Sequence, residues 1–274
     1  MYSFFNNEFF PADKTFIHVS DLATQRGYGI FDFFKVVSGR PHFLEDYFDR
    51  FYRSAEVMRL PILLSREELK KVILELINKN GQPDCGIKMI LTGGYSPDSY
   101  EPASPNLIIS QHTLTFPGPA YLEKGIKVIT HEYVRDIPQV KTINYIMGIW
   151  LQALVKEHNA ADVLYHMNGH VSEFPRCNIF IVKEDGMIVT PSEKILHGIT
   201  RKNIIKMSGE KFTVKEAPVR LQEVLAAREV FLTSTTKRII PIVQVDDTII
   251  GGGKPGPTTV ALLENLLELE KNSH

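Results

Sequence analysis

Lys141, in the run Val140-Lys141-Thr142-Ile143-Asn144-Tyr145, is the residue of this chain with the clearest capacity for covalent chemistry. A lysine amine is a nucleophile only when neutral. Near pH 7 it reaches that state when desolvated or set beside another cation, and it can then form a Schiff base with a carbonyl. Taken alone, Lys141 reads as a solvated lysine at a helix start, so the remaining residues must carry the argument. Glu173, in Val171-Ser172-Glu173, precedes the apolar run Asn178–Val182. A carboxylate at such an edge is solvated unless buried, and then it needs a cationic partner. Gly198-Ile199-Thr200 offers free backbone N–H groups and a hydroxyl at a predicted helix start, which is an anion site in waiting. Thr233-Ser234-Thr235-Thr236 ends an apolar strand with four hydroxyls. Arg50 lies among apolar neighbours on a predicted helix, either snorkelling to water or clamping a phosphate.

The elements that must place these residues follow from periodicity and punctuation. Ile143, Met147, Leu151, Leu154 and Val155 recur at three- and four-residue steps, which predicts one long amphipathic helix just after Lys141. Tyr28–Val37 and His42-Phe43 around Ser38-Gly39 read as a hairpin, and 45–59 and 65–78 as helices, the second opened by Ser65 with Glu67-Glu68. Phe116-Pro117-Gly118-Pro119-Ala120 punctuates without adding core, so a boundary falls there. The expectation is an N-terminal α/β domain over 1–116, a linker over 117–124, and a C-terminal α/β domain over 125–274 that carries Lys141. Strands and helices alternate loosely with several hairpins, giving a mixed α/β (α+β) fold with much antiparallel pairing.

Composition removes several classes of function. Among 274 residues, 31 basic and 32 acidic side chains are interspersed, and no basic stripe suggests nucleic acid or an anionic membrane. No apolar run approaches about 20 residues, the length of a membrane span. Two distant cysteines, Cys85 and Cys177, argue for a reducing compartment rather than a disulfide framework, and the chain is expected to be cytoplasmic. The nine histidines are scattered, with no metal-ligand spacing. Gly251-Gly252-Gly253-Lys254-Pro255 lacks the Ser or Thr of a phosphate loop and reads as a turn before the last helix.

A nucleophilic amine, a carboxylate and several anion-gripping groups suit one ligand: a phosphorylated aldehyde with a basic ring nitrogen. Pyridoxal phosphate is such a ligand, and its sites pair a lysine with a carboxylate on the ring nitrogen. The chain also resembles the fold-type IV pyridoxal-phosphate enzymes, the class IV aminotransferases. The blocks Arg26–Asp32, Asp49-Arg50-Phe51 with Ser54-Ala55, Lys141–Tyr145, Val171-Ser172-Glu173 with Asn178–Phe180, Leu196–Arg201 and Phe231–Thr236 stand in the family's order.

That resemblance implies two α/β domains with the coenzyme between them, and a homodimer that completes the site. It implies that Lys141 is the Schiff-base lysine and proton shuttle, and that Glu173 keeps the ring nitrogen protonated. Arg50, Ile199, Thr200, Ser234 and Thr235 are then expected to hold the coenzyme. Phe31, Arg26 and Thr236 fall on the substrate side. Substrates would be an amino acid and a 2-oxo acid. The blocks at 49–55 and 233–236 look most like the D-amino acid type, which favours D-alanine or D-glutamate. That type carries an R-x-H element after the T-x-G loop, whereas this chain has Ser96-Pro97-Asp98-Ser99-Tyr100. Arg26, Lys88 and Lys237 are the candidate replacements. Branched-chain L-amino acid transamination and the aminodeoxychorismate lyase reaction use the same coenzyme residues and stay open.

Overall fold

A computed structural model describes residues 1–207, 209 and 211–272. Its contacts gather into two compact units, the first comprising Met1–Thr115 with Val140–Asn144, the second Phe116–Gln139 with Tyr145–Asn272.

The first unit contains β1 (Tyr2–Phe5), β2 (Glu8–Pro11), α1 (Leu22–Arg26), β3 (Gly29–Val37), β4 (Arg40–Pro41), α2 (Leu44–Val57), α3 (Arg66–Asn80), β5 (Cys85–Thr92) and β6 (Leu107–His112). Its sheet is antiparallel throughout, in the order β2-β1-β6-β5-β3-β4. Tyr47, Phe48, Phe51 and Ala55 are buried at helical spacing on α2, and that face packs on β3. Ser65 and Glu68 close a reciprocal capping box at the start of α3.

The edge of β3 is where Lys141 is held. Two-residue β4 pairs only with Val36 and Val37, which leaves the Gly29–Phe31 end to another partner. The segment around Lys141 takes that place: Phe31 N donates to Lys141 O at 2.9 Å, and Ile143 N to Gly29 O at 3.0 Å. Gly29 permits the approach, since a Cβ there would lie 2.8 Å from Leu91 O and 3.1 Å from Ile143 Cδ1.

The second unit contains α4 (Pro119–Lys124), β7 (Ile126–Glu132), α5 (Ile146–Trp150), α6 (Gln152–Glu157), β8 (Asp162–Met167), β9 (His170–Val171), β10 (Asn178–Val182), β11 (Ile188–Thr190), α7 (Ile199–Lys206), β12 (Val214–Glu216), β13 (Val219–Arg220), α8 (Leu221–Leu225), β14 (Glu229–Ser234), β15 (Arg238–Val245), β16 (Thr248–Ile249) and α9 (Pro257–Asn272). Its ten-stranded sheet runs β12-β11-β10-β14-β15-β7-β8-β9-β13, with β16 on β15. The β15-β7, β7-β8 and β11-β12 pairs are parallel and the others antiparallel, so the expected mixed α/β architecture is present. Both faces of the middle strands are covered. Ile179, Ile181, Leu232 and Ile240 line one core with Val224 of α8, and Phe180, Phe231 and Ile239 line another with Ile204 of α7 and Leu262 of α9. Burial on two faces explains why β10 is an unbroken apolar run rather than an alternating one.

The helix expectation is corrected here. The single long helix after Lys141 does not form: Ile143 is bonded to the edge of β3, and helix starts only at Ile146, with a break at Leu151 between α5 and α6. The Lys141 segment also clusters with the first unit rather than with the later chain. Within 117–124, Pro119 opens α4 instead of extending a linker, because proline suits a first helical turn. Among the described residues, no helix is long and apolar enough to cross a membrane.

Candidate active site

In the first unit, Lys141 is anchored through its backbone to β3, and its Nζ lies 4.5 Å from the centre of the Phe31 ring. A ring face attracts a cation and gives the end of the side chain a bounded place. Behind Phe31, Asp32 is fully buried and takes Arg50 in a fork, with Nε at 2.9 Å and Nη2 at 2.6 Å from its two oxygens. That pairing explains how an arginine tolerates the apolar side of α2, where it also lies 5.2 Å from the Tyr47 ring centre. Arg26 is exposed at the end of α1 and donates to Gln25 O. Lys88 lies within β5, partly buried.

In the second unit, Glu173 is 4% exposed. Its Oε1 accepts from Arg135 Nε at 2.8 Å and pairs with Arg135 Nη2 at 2.7 Å; its Oε2 accepts from Leu196 N at 2.8 Å. Arg135 Nη2 also donates to Pro138 O. A buried carboxylate with a guanidinium and an amide donor on it stays an anion and a hydrogen-bond acceptor. Leu196 links this carboxylate to the start of α7, since Leu196 O accepts from Asn178 Nδ2 at 2.8 Å. Asn178 Oδ1 in turn lies against Gly198, where a Cβ would come within 2.2 Å of it. Glycine is therefore required at the N-cap, and the N–H groups of Ile199 and Thr200 fall in a first turn whose donors have no carbonyl in the helix. Arg201 ties the same turn to β11 through Thr190 Oγ1 and Pro191 O.

Ser234, Thr235, Thr236 and Lys237 form the turn from β14 into β15, all partly buried. Ser234 Oγ accepts from Lys237 N at 3.2 Å and shares a hydrogen bond with the Cys177 thiol. Lys237 Nζ donates to Asp162 Oδ2 at 2.9 Å. Burial works against the Lys237 ammonium, but Cys177 and Asp162 facing it outweigh burial and raise it above the usual lysine range. Burial also raises the Cys177 thiol. Of the three candidate carboxylate ligands, Lys237 is thus committed to an internal ion pair.

A phosphorylated group with a cationic ring nitrogen fits these donors and acceptors. Glu173 supplies a fixed anion. The first turn of α7 supplies N–H groups. Thr233 Oγ1, in a residue 1% exposed, lacks a hydrogen-bond partner among the described residues. Thr233 lies directly opposite Asn178, so its side chain shares the sheet face on which Asn178 meets Gly198. An orphaned buried hydroxyl near a helix N-terminus is completed by an anion or a water.

The sequence alone assigns no role to Arg135, Asp32 or Asn178, although each fixes a predicted site residue or the turn that carries one. Their partners are 38, 18 and 18 residues away along the chain, beyond the reach of any local pattern. The one signal for them is a buried charge in need of an opposite one.

The family model for class IV amino-transferases matches residues 29–245. A D-alanine aminotransferase of Bacillus licheniformis is 27% identical over 93% of this chain and 92% of its own length. One from Staphylococcus haemolyticus is 28% identical over 95% of each. A solved branched-chain amino acid aminotransferase of Escherichia coli superposes with a TM-score of 0.91 at 26% identity, over 98% of this chain and 94% of that one.

Proposed function

The chain belongs to the class IV aminotransferases, and on that footing we propose that it moves an amino group between a small amino acid of the D series, such as D-alanine or D-glutamate, and a 2-oxo acid. Its proposed coenzyme is pyridoxal phosphate. The observation that carries this reading is the Lys141 carbonyl bonded to β3, with Ile143 N bonded to the same strand two residues on and the Lys141 Nζ over Phe31.

Bound, the coenzyme supplies an electron sink for the charge left when a substrate loses its α-proton. Lys141 Nζ would hold it. The same Nζ would take the substrate's α-proton and deliver it onward. Positioned proton transfer of this kind contributes about 10²–10⁴-fold. Glu173, held as an acceptor by Arg135 and Leu196 N, would accept from the ring nitrogen. In the second unit the amides of Ile199 and Thr200 and the hydroxyls of Thr200 and Thr235 would hold the phosphate; Arg50 is a further candidate for it. Thr236 and Phe31 border the substrate.

The D-series reading is supported by the matching blocks at 49–55 and 233–236 and by likeness to D-alanine aminotransferases. A cytoplasmic homodimer is part of the same proposal. Ile146, Ile149 and Trp150 are 71%, 70% and 69% exposed on α5, an apolar surface that a second copy would cover.

Half-reactions with a panel of D- and L-amino acids, followed through the coenzyme's absorbance, test the assignment. D-alanine or D-glutamate should convert the coenzyme, and pyruvate or 2-oxoglutarate should restore it. Conversion by L-leucine or L-valine alone would establish the branched-chain activity instead. Pyruvate released from aminodeoxychorismate with no acceptor present would identify the lyase.

A further inference from the structure

The turn from β14 to β15 is closed in an unusual way. Ser234 pairs with Arg238 across it, so Thr235, Thr236 and Lys237 form a three-residue loop. Such loops commonly end on a left-handed residue, and glycine suits that position. Here the left-handed residue is the first one past the loop, Arg238, with φ +55°. A side chain with a Cβ is disfavoured in that region and persists there only when its surroundings hold it. The surroundings do so. Arg238 Nε donates to Glu270 Oε2 of α9 at 2.8 Å, and its guanidinium lies 4.5 Å from the centre of the Phe116 ring. The preceding residue reaches a different element, with Lys237 Nζ on Asp162 of β8. Glu270 and Asp162 are both nearly buried, with side chains 9% and 6% exposed. Inside the turn, Lys237 N donates to Ser234 Oγ.

We propose that Lys237 and Arg238 are positioning residues: their ion pairs to β8 and α9 clamp the Thr235-Thr236 turn in the geometry that receives the coenzyme phosphate. The inference rests on the proposed function, in which Thr235 is a phosphate ligand. Neither basic side chain is then available to bind the substrate carboxylate. Their charges are spent internally, and their effect on the ligand passes through the hydroxyls and amides of the turn. A preorganised turn binds without an ordering cost, and a small displacement of it weakens every contact it makes.

The test measures dissociation constants of apoprotein for pyridoxal phosphate and for pyridoxal, which lacks the phosphate. Lys237→Met should weaken pyridoxal phosphate about tenfold and leave pyridoxal within about twofold, while Lys237→Arg should stay near wild type. Arg238→Met should act in the same direction. Because removing one partner strands a buried charge, Lys237→Met combined with Asp162→Asn is the deciding variant. It should regain thermal stability but not phosphate affinity. Recovery of both together, or parallel weakening of both ligands, would reduce the pair to a structural role and overturn the proposal. A wild-type protein that binds the two ligands equally would instead refute the phosphate assignment itself.

Discussion

Lys141 and Glu173 are secured by different means. Lys141 is fixed through its main chain: Phe31 N bonds its carbonyl and Gly29 O the amide of Ile143 two residues on, and the side chain extends to Phe31 as a flexible stem. Glu173 is fixed through its side chain, with Arg135 on one oxygen and Leu196 N on the other. The difference matches the work proposed for each. A proton carrier must move its Nζ between positions while its root stays still. A countercharge must not move at all, because reorganising it during reaction would cost what preorganisation saves. Arg50, in the first unit, is held as Glu173 is, by a charged fork. Side-chain clamping therefore follows the role and not the unit.

The sharpest way to break the contrast is to remove the lysine. Lys141→Ala keeps every backbone bond to β3, so turnover should fall by more than about 10⁴-fold with a melting temperature close to wild type. Steady-state rates and a thermal melt of the variant check both halves. A large loss of stability would show that the side chain, and not the peptide, secures the segment. Arg135→Met should behave in the opposite way. It leaves Glu173 buried without its cation, at a cost of about 3–5 kcal/mol in denaturant unfolding, and combining it with Glu173→Gln should restore stability but not turnover.

Gly198→Ala probes the joint between Glu173 and α7. The added methyl meets Asn178 Oδ1, so overpacking of about 1–3 kcal/mol and weaker coenzyme binding are expected by unfolding and titration. Phe31→Leu should have the smallest effect, removing a ring contact worth about 0.5–1 kcal/mol and raising KM a few-fold with kcat nearly unchanged.

What was legible in the sequence was local. The apolar spacing of α2, the Ser65 cap of α3 and the unbroken run of β10 each state their own structure, because neighbouring residues decide it. The 143–155 stretch misled for the converse reason. Leu151 and Val155 are buried as the helical pattern requires, yet Ile143 answers to a sheet edge more than a hundred residues earlier in the chain. The candidate residues were readable by type, but their supports were not. Asp32 for Arg50, Arg135 for Glu173 and Asp162 for Lys237 are partners that only the folded chain brings together. Lys237 shows the same limit: one of three candidates for a substrate carboxylate by type, it meets Asp162 in the folded chain.

One measurement tests the central claim most directly. Protein loaded with pyridoxal phosphate is reduced with borohydride, digested and mapped by mass spectrometry. The pyridoxyl mass should sit on Lys141, in a single modified peptide. Its absence, or its attachment to another lysine, would contradict the account.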